Sequence, residues 1–160
     1  MRKPFILVVD DNKITTKLLR RYLESNGFEA TEAYDGIECL EKVKERKPDA
    51  VVLDVMMPRM DGYETVKNLK ADLESKSIPV VIVTALNDVS NQVKSIDAGA
   101  DDFLSKPIEE RLLIAKVKLL SDLNLANLKV SYLEEKLNES LQGKISGGDA
   151  NKYLAEVELD

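Results

Sequence analysis

The stretch Val51–Gly62, with the sequence VVLDVMMPRMDG, decides how the chain is interpreted. It begins with apolar residues that are typical of a buried strand, and this apolar run stops at one carboxylate, Asp54. A buried strand does not tolerate an unpaired charge in its middle, so we expect Asp54 to lie where the strand leaves the core. Whether this carboxylate merely ends a strand or is reactive depends on which groups the neighbouring strands bring to the same place.

Short apolar segments alternate with longer segments of helical periodicity along most of the chain. Three of the apolar segments consist almost entirely of Val, Ile and Leu, which is typical of parallel strands that are covered on both faces. The five β–α units predict an α/β fold with an open, doubly wound parallel sheet. The predicted strands are residues 5–10, 28–33, 50–55, 79–85 and 102–106.

The predicted fifth helix is much longer than the others. From about Ile108 no Pro or Gly interrupts the helical pattern before Gly143, whereas a typical helix has about 11–12 residues. We therefore expect one domain over residues 1–121 and a helical extension over residues 122–160. Within this extension, the fifth helix is expected to continue to about residue 142, and a flexible tail is expected to follow it.

Apolar residues on this helix recur at alternating steps of three and four residues, as in a coiled coil. The residues of this apolar stripe are Leu119, Leu123, Ala126, Val130, Leu133, Leu137 and Leu141. The small Ala126 and the polar Ser140 weaken the pattern. We expect two copies of the chain to form a homodimer through the stripe. The alternative is a helix that breaks and folds back onto the domain.

The composition excludes several classes of function. The sequence contains no histidine, which rules out a histidine general base, a histidine metal ligand and a phosphohistidine within this chain. A formal net charge of -6 argues against non-specific binding to nucleic acid. The apolar run near the N-terminus is too short for a signal peptide or a membrane helix. We therefore expect a cytoplasmic protein with neither a nucleic-acid nor a membrane partner.

The carboxyl ends of the predicted strands carry a set of polar residues. In open α/β sheets, ligands bind at these ends. The residues there are Asp10, Asp11, Asp54, Thr84 and Lys106. Each has an ordinary alternative: Asp11 and Asn12, for example, can simply cap the first helix.

Three carboxylates in one crevice repel each other unless a cation is present, and oxygen ligands without His or Cys select Mg²⁺ or Mn²⁺. A carboxylate beside such a cluster can attack phosphorus and form an aspartyl phosphate.

Four motifs resemble the receiver domain of two-component response regulators over about residues 3–121. They are VVDDN, VVLDVMMPRMDG, VTA and GADDFLSKP. The resemblance implies a flavodoxin-like sheet of strand order 2-1-3-4-5. It also implies that Asp54 is the phosphoacceptor, and that Asp10, Asp11, Asp54 and the backbone carbonyl of Met56 bind Mg²⁺.

The resemblance assigns further roles around the phosphoacceptor. Lys106 would pair with the phosphoryl group, and a cis peptide bond is expected between Lys106 and Pro107. Thr84 and Phe103 would move when the domain is phosphorylated and act as the switch. In this family, the residues at positions 56 and 86 set the lifetime of the phosphate. Because both Met56 and Leu86 are apolar here, we expect slow dephosphorylation.

By the same resemblance, the chain is a signalling switch and not an enzyme. Its partner would be a sensor histidine kinase or a histidine phosphotransfer protein. The signal would leave through the fourth helix, the fifth strand and the long helix, with altered dimerisation as the output. The run DDFLSKPIEERLLIAKVKLL also resembles receivers that precede diguanylate cyclase domains, so a fragment of such an output enzyme is the alternative.

Two other classes share parts of this pattern. A phosphatase with an aspartate nucleophile needs an acid two residues after the nucleophile, where this chain has Met56. An FMN-binding flavodoxin-like protein needs a Ser/Thr/Gly-rich phosphate loop after the first strand, where this chain has the acidic DDNK. Both classes are less consistent with the sequence than a receiver.

Overall fold

The structure is a computed structural model that describes residues 2–85 and 89–142. Its contacts divide the chain into two compact units. The larger unit is Lys3–Ser121, and the smaller unit contains Arg2 and the described residues from Asp122 onward. The predicted domain limits stay a prediction, because compactness does not test whether either unit folds independently.

Five strands and five helices alternate through the described residues. The strands are β1 (Phe5–Val9), β2 (Glu29–Ala33), β3 (Ala50–Asp54), β4 (Val80–Thr84) and β5 (Asp102–Ser105). The helices are α1 (Lys13–Ser25), α2 (Gly36–Glu45), α3 (Gly62–Ala71), α4 (Val89–Ala98) and α5 (Glu110–Leu141). The predicted alternation of strands and helices is confirmed.

All neighbouring strands pair in parallel, in the order β2-β1-β3-β4-β5. This confirms the expected flavodoxin-like sheet. The three central strands are buried along their whole length, whereas the edge strands β2 and β5 also contain partly buried or exposed residues. The difference explains why β1, β3 and β4 have nearly continuous apolar sequences and the edge strands do not.

The sheet separates two hydrophobic clusters, one on each face. Successive residues of a strand contribute to opposite clusters, because side chains alternate across a sheet. In β1, Leu7 belongs to one cluster and Val8 to the other. Cys39 of α2 packs into the first cluster with no exposed surface. Full burial of a Val, Leu or Ile side chain contributes roughly 1.5–3 kcal/mol to the free energy of unfolding. The sheet is therefore stable and holds the residues at its ends in fixed positions.

Aspartate or asparagine side chains begin the first three helices. Asn12 caps α1, Asp35 caps α2 and Asp61 caps α3, each by accepting a hydrogen bond from a backbone N–H in the first turn. Such caps satisfy N–H groups that have no partner within the helix. The caps therefore fix where α1 and α3 begin, directly after the loops that follow β1 and β3.

Helix α5 has 32 residues and confirms the long C-terminal helix. The expected tail from residue 143 onward lies outside the described residues. Within residues 2–85 and 89–142, no helix is long and apolar enough to cross a membrane.

Candidate functional site

Three carboxylates meet where β1 and β3 end. One side-chain oxygen each from Asp10, Asp11 and Asp54 lies within 4.8 Å of the other two. Asp10 and Asp54 are buried, and Asp11 is exposed. Because β1 and β3 are adjacent and parallel, their carboxyl ends lie at the same edge of the sheet. The structure thus brings together the three acidic residues that the sequence singled out.

Capping of α1 depends on Asn12. Its Oδ1 accepts hydrogen bonds from the N–H groups of Ile14, at 2.9 Å, and Thr15, at 3.3 Å. The N–H of Asn12 in turn donates to Oδ1 of Asp10 at 2.9 Å. Asn12 therefore caps the helix, as one alternative predicted for Asp11 and Asn12. Asp11 instead belongs to the carboxylate cluster.

Lys106 supplies a positive charge to the cluster. Its Nζ lies 2.8 Å from Oδ1 of Asp54, and its backbone N–H donates to the carbonyl of Thr84 at 2.8 Å. Partial burial acts to lower the pKa of Lys106, but the hydrogen bond to Asp54 and the nearby carboxylates outweigh it and raise the pKa. The ammonium group therefore stays charged at neutral pH. The Lys106–Pro107 peptide bond is cis.

Burial changes the ionisation of Asp10. It raises the pKa of this carboxyl to about 6, with the hydrogen bond from Asn12 opposing and the charge of Asp54 adding to the increase. The ionised form of Asp10 is thus disfavoured. A divalent cation would relieve this repulsion. The donors are all hard oxygen atoms, which fits Mg²⁺.

Thr84 lies at the same edge of the sheet, and Phe103 lies farther from it. Asp54 pairs in register with Val83, so Thr84 is the next residue along the neighbouring strand. Its hydroxyl lies 3.5 Å from the carbonyl oxygen of Leu104 and is buried. Phe103 pairs with Ile82, two residues before the end of β4, and its ring is 5.5 Å from Nζ of Lys116. Phe103 is therefore not a member of the carboxylate cluster.

The loop after Asp54 is closed tightly. The N–H of Gly62 donates to the carbonyl of Val55 at 2.8 Å, and a Cβ at position 62 would overlap the carbonyl oxygen of Asp54. Glycine is thus required where α3 begins. Met56, two residues after Asp54, is 77% exposed, so its thioether lies in solvent. Leu86 lies outside the described residues.

The sequence predicts Asp35 as the cap of the second helix but gives no indication of its contact with Arg59 in this loop. Their side chains form an ion pair, with Nη2 of Arg59 2.6 Å from Oδ2 of Asp35. The only signal was one basic residue in the loop after the phosphoacceptor candidate. Nothing in the sequence connects that residue to an aspartate 24 positions earlier.

Comparison with known proteins identifies the family. Residues 6–118 match the family model described as the response regulator receiver domain. The chain belongs to this family. It is thus a receiver domain of a two-component system, and receivers act as signalling switches together with a histidine kinase or a phosphotransfer partner. Receivers generally bind Mg²⁺ at an acidic pocket, and the cluster of Asp10, Asp11 and Asp54 has the composition of such a pocket.

Individual relatives agree with the family model. The response regulator MprA of Mycobacterium ulcerans is 44% identical over 115 residues, which are 72% of this chain and 49% of the relative. The receiver domain of the Francisella response regulator 1452 has a TM-score of 0.70 at 34% identity, covering 75% of this chain and 98% of that structure. The receiver domain of a signal transduction histidine kinase from Syntrophus aciditrophicus also gives 0.70 at 34% identity, with 74% and 90% covered.

The receiver spans about half the length of the curated relatives that it matches. These relatives are named as response regulators. The resemblance to receivers that precede diguanylate cyclase domains stays a prediction.

Proposed function

We propose that this receiver accepts a phosphoryl group on Asp54 with Mg²⁺ bound and transmits the change through α4, β5 and α5. The observation that carries the proposal is the position of Asp54. It is buried at the end of β3, within the three-carboxylate cluster, and its Oδ1 is 2.8 Å from the ammonium group of Lys106. These surroundings fix the position of the Asp54 carboxylate and place charge-neutralising groups beside it.

The chemistry is a transfer from a phosphohistidine of the partner to Asp54. A carboxylate oxygen of Asp54 attacks phosphorus, the P–N bond breaks, and the imidazole leaves with its electron pair. Asp10, Asp11, Asp54 and the backbone carbonyl of Met56 would hold Mg²⁺, which neutralises the charge of the carboxylates and phosphoryl oxygens. Lys106 donates to a phosphoryl oxygen and stabilises the charge that develops there.

The ion pair between Lys106 and Asp54 couples the site to the rest of the sheet. A phosphoryl group adds roughly -1.5 to -2 charges, so the ammonium group would turn from the Asp54 carboxylate to the new phosphate. The backbone N–H of Lys106 donates a hydrogen bond to the carbonyl of Thr84, and the hydroxyl of Thr84 in turn contacts the carbonyl of Leu104 in β5. A movement of Lys106 or Thr84 therefore reaches β5, which carries Phe103.

A homodimer through α5 is the proposed output. In the part of α5 from Asp122 onward, the stripe residues Leu123, Val130, Leu137 and Leu141 are 54, 52, 61 and 77% exposed. Exposed apolar residues at seven- and four-residue spacing lie along one side of a helix, which is the surface that a second helix covers. In a parallel pair in register, Lys129 of one copy would face Glu134 of the other, which adds a favourable charge contact.

The phosphate is expected to be long-lived. The thioether of Met56 offers no strong hydrogen-bonding group to orient an attacking water, and Leu86 is apolar as well. A half-life of seconds in the purified protein would contradict this part of the proposal.

A receiver that is one part of a longer output protein is the second candidate. It is favoured by one observation, namely that the chain covers about half of each MprA relative. In that case the pairing of α5 would act on a further domain instead of being the output itself.

The test is the molar mass in solution with Mg²⁺, before and after addition of beryllofluoride, a mimic of the phosphoryl group. We expect the wild type to change from monomer to dimer and the Asp54→Asn variant to stay monomeric. A dimer in every sample would mean that the signal is a rearrangement within the dimer. A monomer in every sample would overturn the pairing. Fluorine NMR of the bound beryllofluoride would separately report whether Asp54 is the acceptor.

A further inference from the structure

The loop between β3 and α3 contains a strained turn. The N–H of Met60 donates to the carbonyl of Pro58 at 2.7 Å, which makes Arg59 the central residue of a three-residue γ-turn. Arg59 has φ of 66°, a value that residues with a side chain rarely adopt. Such a conformation persists only where the surroundings hold it in place.

An ion pair holds this turn. The guanidinium of Arg59 reaches Oδ2 of Asp35 through Nε, at 2.8 Å, and through Nη2, at 2.6 Å. The other oxygen of Asp35, Oδ1, accepts the N–H of Glu38 at 2.8 Å and caps α2. One carboxylate therefore connects the turn to the first residues of a helix. The side chain of Asp35 is 12% exposed, whereas that of Arg59 is 57% exposed, so the pair joins a largely buried carboxylate to a guanidinium that reaches it from solvent.

A second contact supports the same corner. A Cβ on Gly36 would lie 2.9 Å from both Cγ and the carbonyl oxygen of Met60, and it would overlap Oγ1 of Thr65. Met60 thus rests directly on the backbone of Gly36. The loop is fastened at two successive residues, Arg59 by charge and Met60 by close packing.

The loop also carries the carbonyl that the proposed metal site uses. Met56 is three residues before Arg59, and the hydrogen bond from Gly62 to Val55 closes the loop around both. Mg²⁺ demands nearly ideal octahedral geometry, so the direction of one carbonyl affects its binding. A loop that relaxes at Arg59 would change that direction.

We propose that Asp35 and Arg59 are positioning residues for the Mg²⁺ site, which hold the strained loop so that the Met56 carbonyl faces the carboxylates. The proposal rests on the proposed function of the Asp54 site. In this proposal the pair acts on the metal only through the loop and is not a ligand. Its effect is therefore on the affinity of the metal, and substitutions of residues that orient metal ligands typically reduce affinity 10- to 100-fold.

Titration calorimetry with Mg²⁺ alone tests the proposal on four variants. We expect Arg59→Ala and Asp35→Asn each to weaken Mg²⁺ binding about tenfold, and the double variant to be no weaker than either. Asp35→Asn retains an oxygen that can cap α2. Arg59→Gly removes the backbone strain together with the ion pair. It should weaken Mg²⁺ binding as much as Arg59→Ala does, but it should unfold at a higher denaturant concentration than Arg59→Ala.

A matched control is Arg46→Ala. Arg46 forms a comparable pair, with Nη1 2.6 Å from Oε1 of Glu29, at the start of β2. The Arg46→Ala substitution should leave the Mg²⁺ affinity unchanged. Amide hydrogen exchange without metal gives an independent readout, in which the N–H of Gly62 should exchange faster in Arg59→Ala than in the wild type or in Arg46→Ala.

The results separate this inference from the proposed function. Wild-type protein that binds no Mg²⁺ would overturn both. Wild-type binding that Arg59→Ala and Asp35→Asn leave within twofold, with unchanged exchange at Gly62, would overturn the positioning role alone. Additive losses in the double variant would also overturn it, because the two residues would then act separately.

Discussion

Buried aspartates lie at both ends of strand β3, and their surroundings differ. Asp49 directly precedes the strand and Asp54 is its last residue. Oδ2 of Asp49 accepts the backbone N–H of Phe5 at 2.7 Å, and the N–H of Asp49 donates to the carbonyl of Phe5 at 2.7 Å. Asp49 thereby fastens two strands together. Asp54 instead faces two other carboxylates and a lysine.

The partners of a buried carboxylate determine whether it is structural or reactive. One that is bonded to a fixed backbone N–H on the adjacent strand stabilises the fold and is not available for chemistry. One whose partners are charged side chains, with other carboxylates among them, lies in a polar crevice where a cation or a phosphoryl group can bind. Burial alone does not distinguish the two, since Asp49 is 3% exposed and Asp54 is 4% exposed.

The substitution Asp54→Asn should abolish phosphorylation. An amide cannot replace the carboxylate as nucleophile, so incubation with acetyl phosphate and Mg²⁺ should give no phosphorylated protein by intact mass spectrometry. Asp49→Asn is the matched change at the other end of β3 and should still be phosphorylated. Equal loss of phosphorylation in both variants would contradict the different roles of Asp49 and Asp54.

The next effect is on stability. Asp49→Ala leaves the N–H of Phe5 buried without its acceptor, so the free energy of unfolding should fall by about 1–3 kcal/mol. Urea unfolding followed by circular dichroism measures the change. A loss below about 0.5 kcal/mol, within the range typical of surface substitutions, would show that the bond to Phe5 does not stabilise the fold.

The smallest effect is a pH dependence at the Asp54 end. With the pKa of Asp10 at about 6, a proton competes with Mg²⁺ below that pH, so calorimetry should find binding about tenfold weaker at pH 5 than at pH 7. Without metal, the native protein keeps a proton on Asp10 that the unfolded chain loses above the ordinary pKa of 3.8. This group therefore makes the protein less stable as pH rises from about 4 to about 6.

The control for this prediction is Asp10→Asn, in which the part of the pH dependence that comes from Asp10 disappears. The metal-free variant should be more stable than the wild type at pH 7, by on the order of 1 kcal/mol. A variant less stable than the wild type at pH 7 would contradict the assigned pKa.

Much of the fold could be predicted because its signals are local. Strands β1, β3 and β4 are buried on both faces, which leaves continuous apolar runs in the sequence. The order of the strands depends on contacts between distant segments, and it came from the resemblance to receivers. The exposed stripe on α5 was predicted from its spacing, since a long helix repeats the same pattern over several turns.

The site was predicted in part for the same reason. Asp10, Asp54 and Lys106 each lie at or directly after the end of a predicted strand, so their place at one edge of the sheet could be inferred from the strand ends. The contact between Asp35 and Arg59 joins residues that are distant in sequence, and the positive φ of Arg59 contradicts the ordinary preference of arginine. Neither property is visible in the residues themselves.

The single thiol of the chain has a practical consequence. Cys39 is fully buried in α2, and burial raises its pKa to about 12, so almost no thiolate exists at neutral pH. Alkylating reagents and spectroscopic labels react through the thiolate, and here they also lack access to the sulfur. A reporter group can therefore be attached to a cysteine introduced at a chosen surface position while the native sequence is otherwise retained.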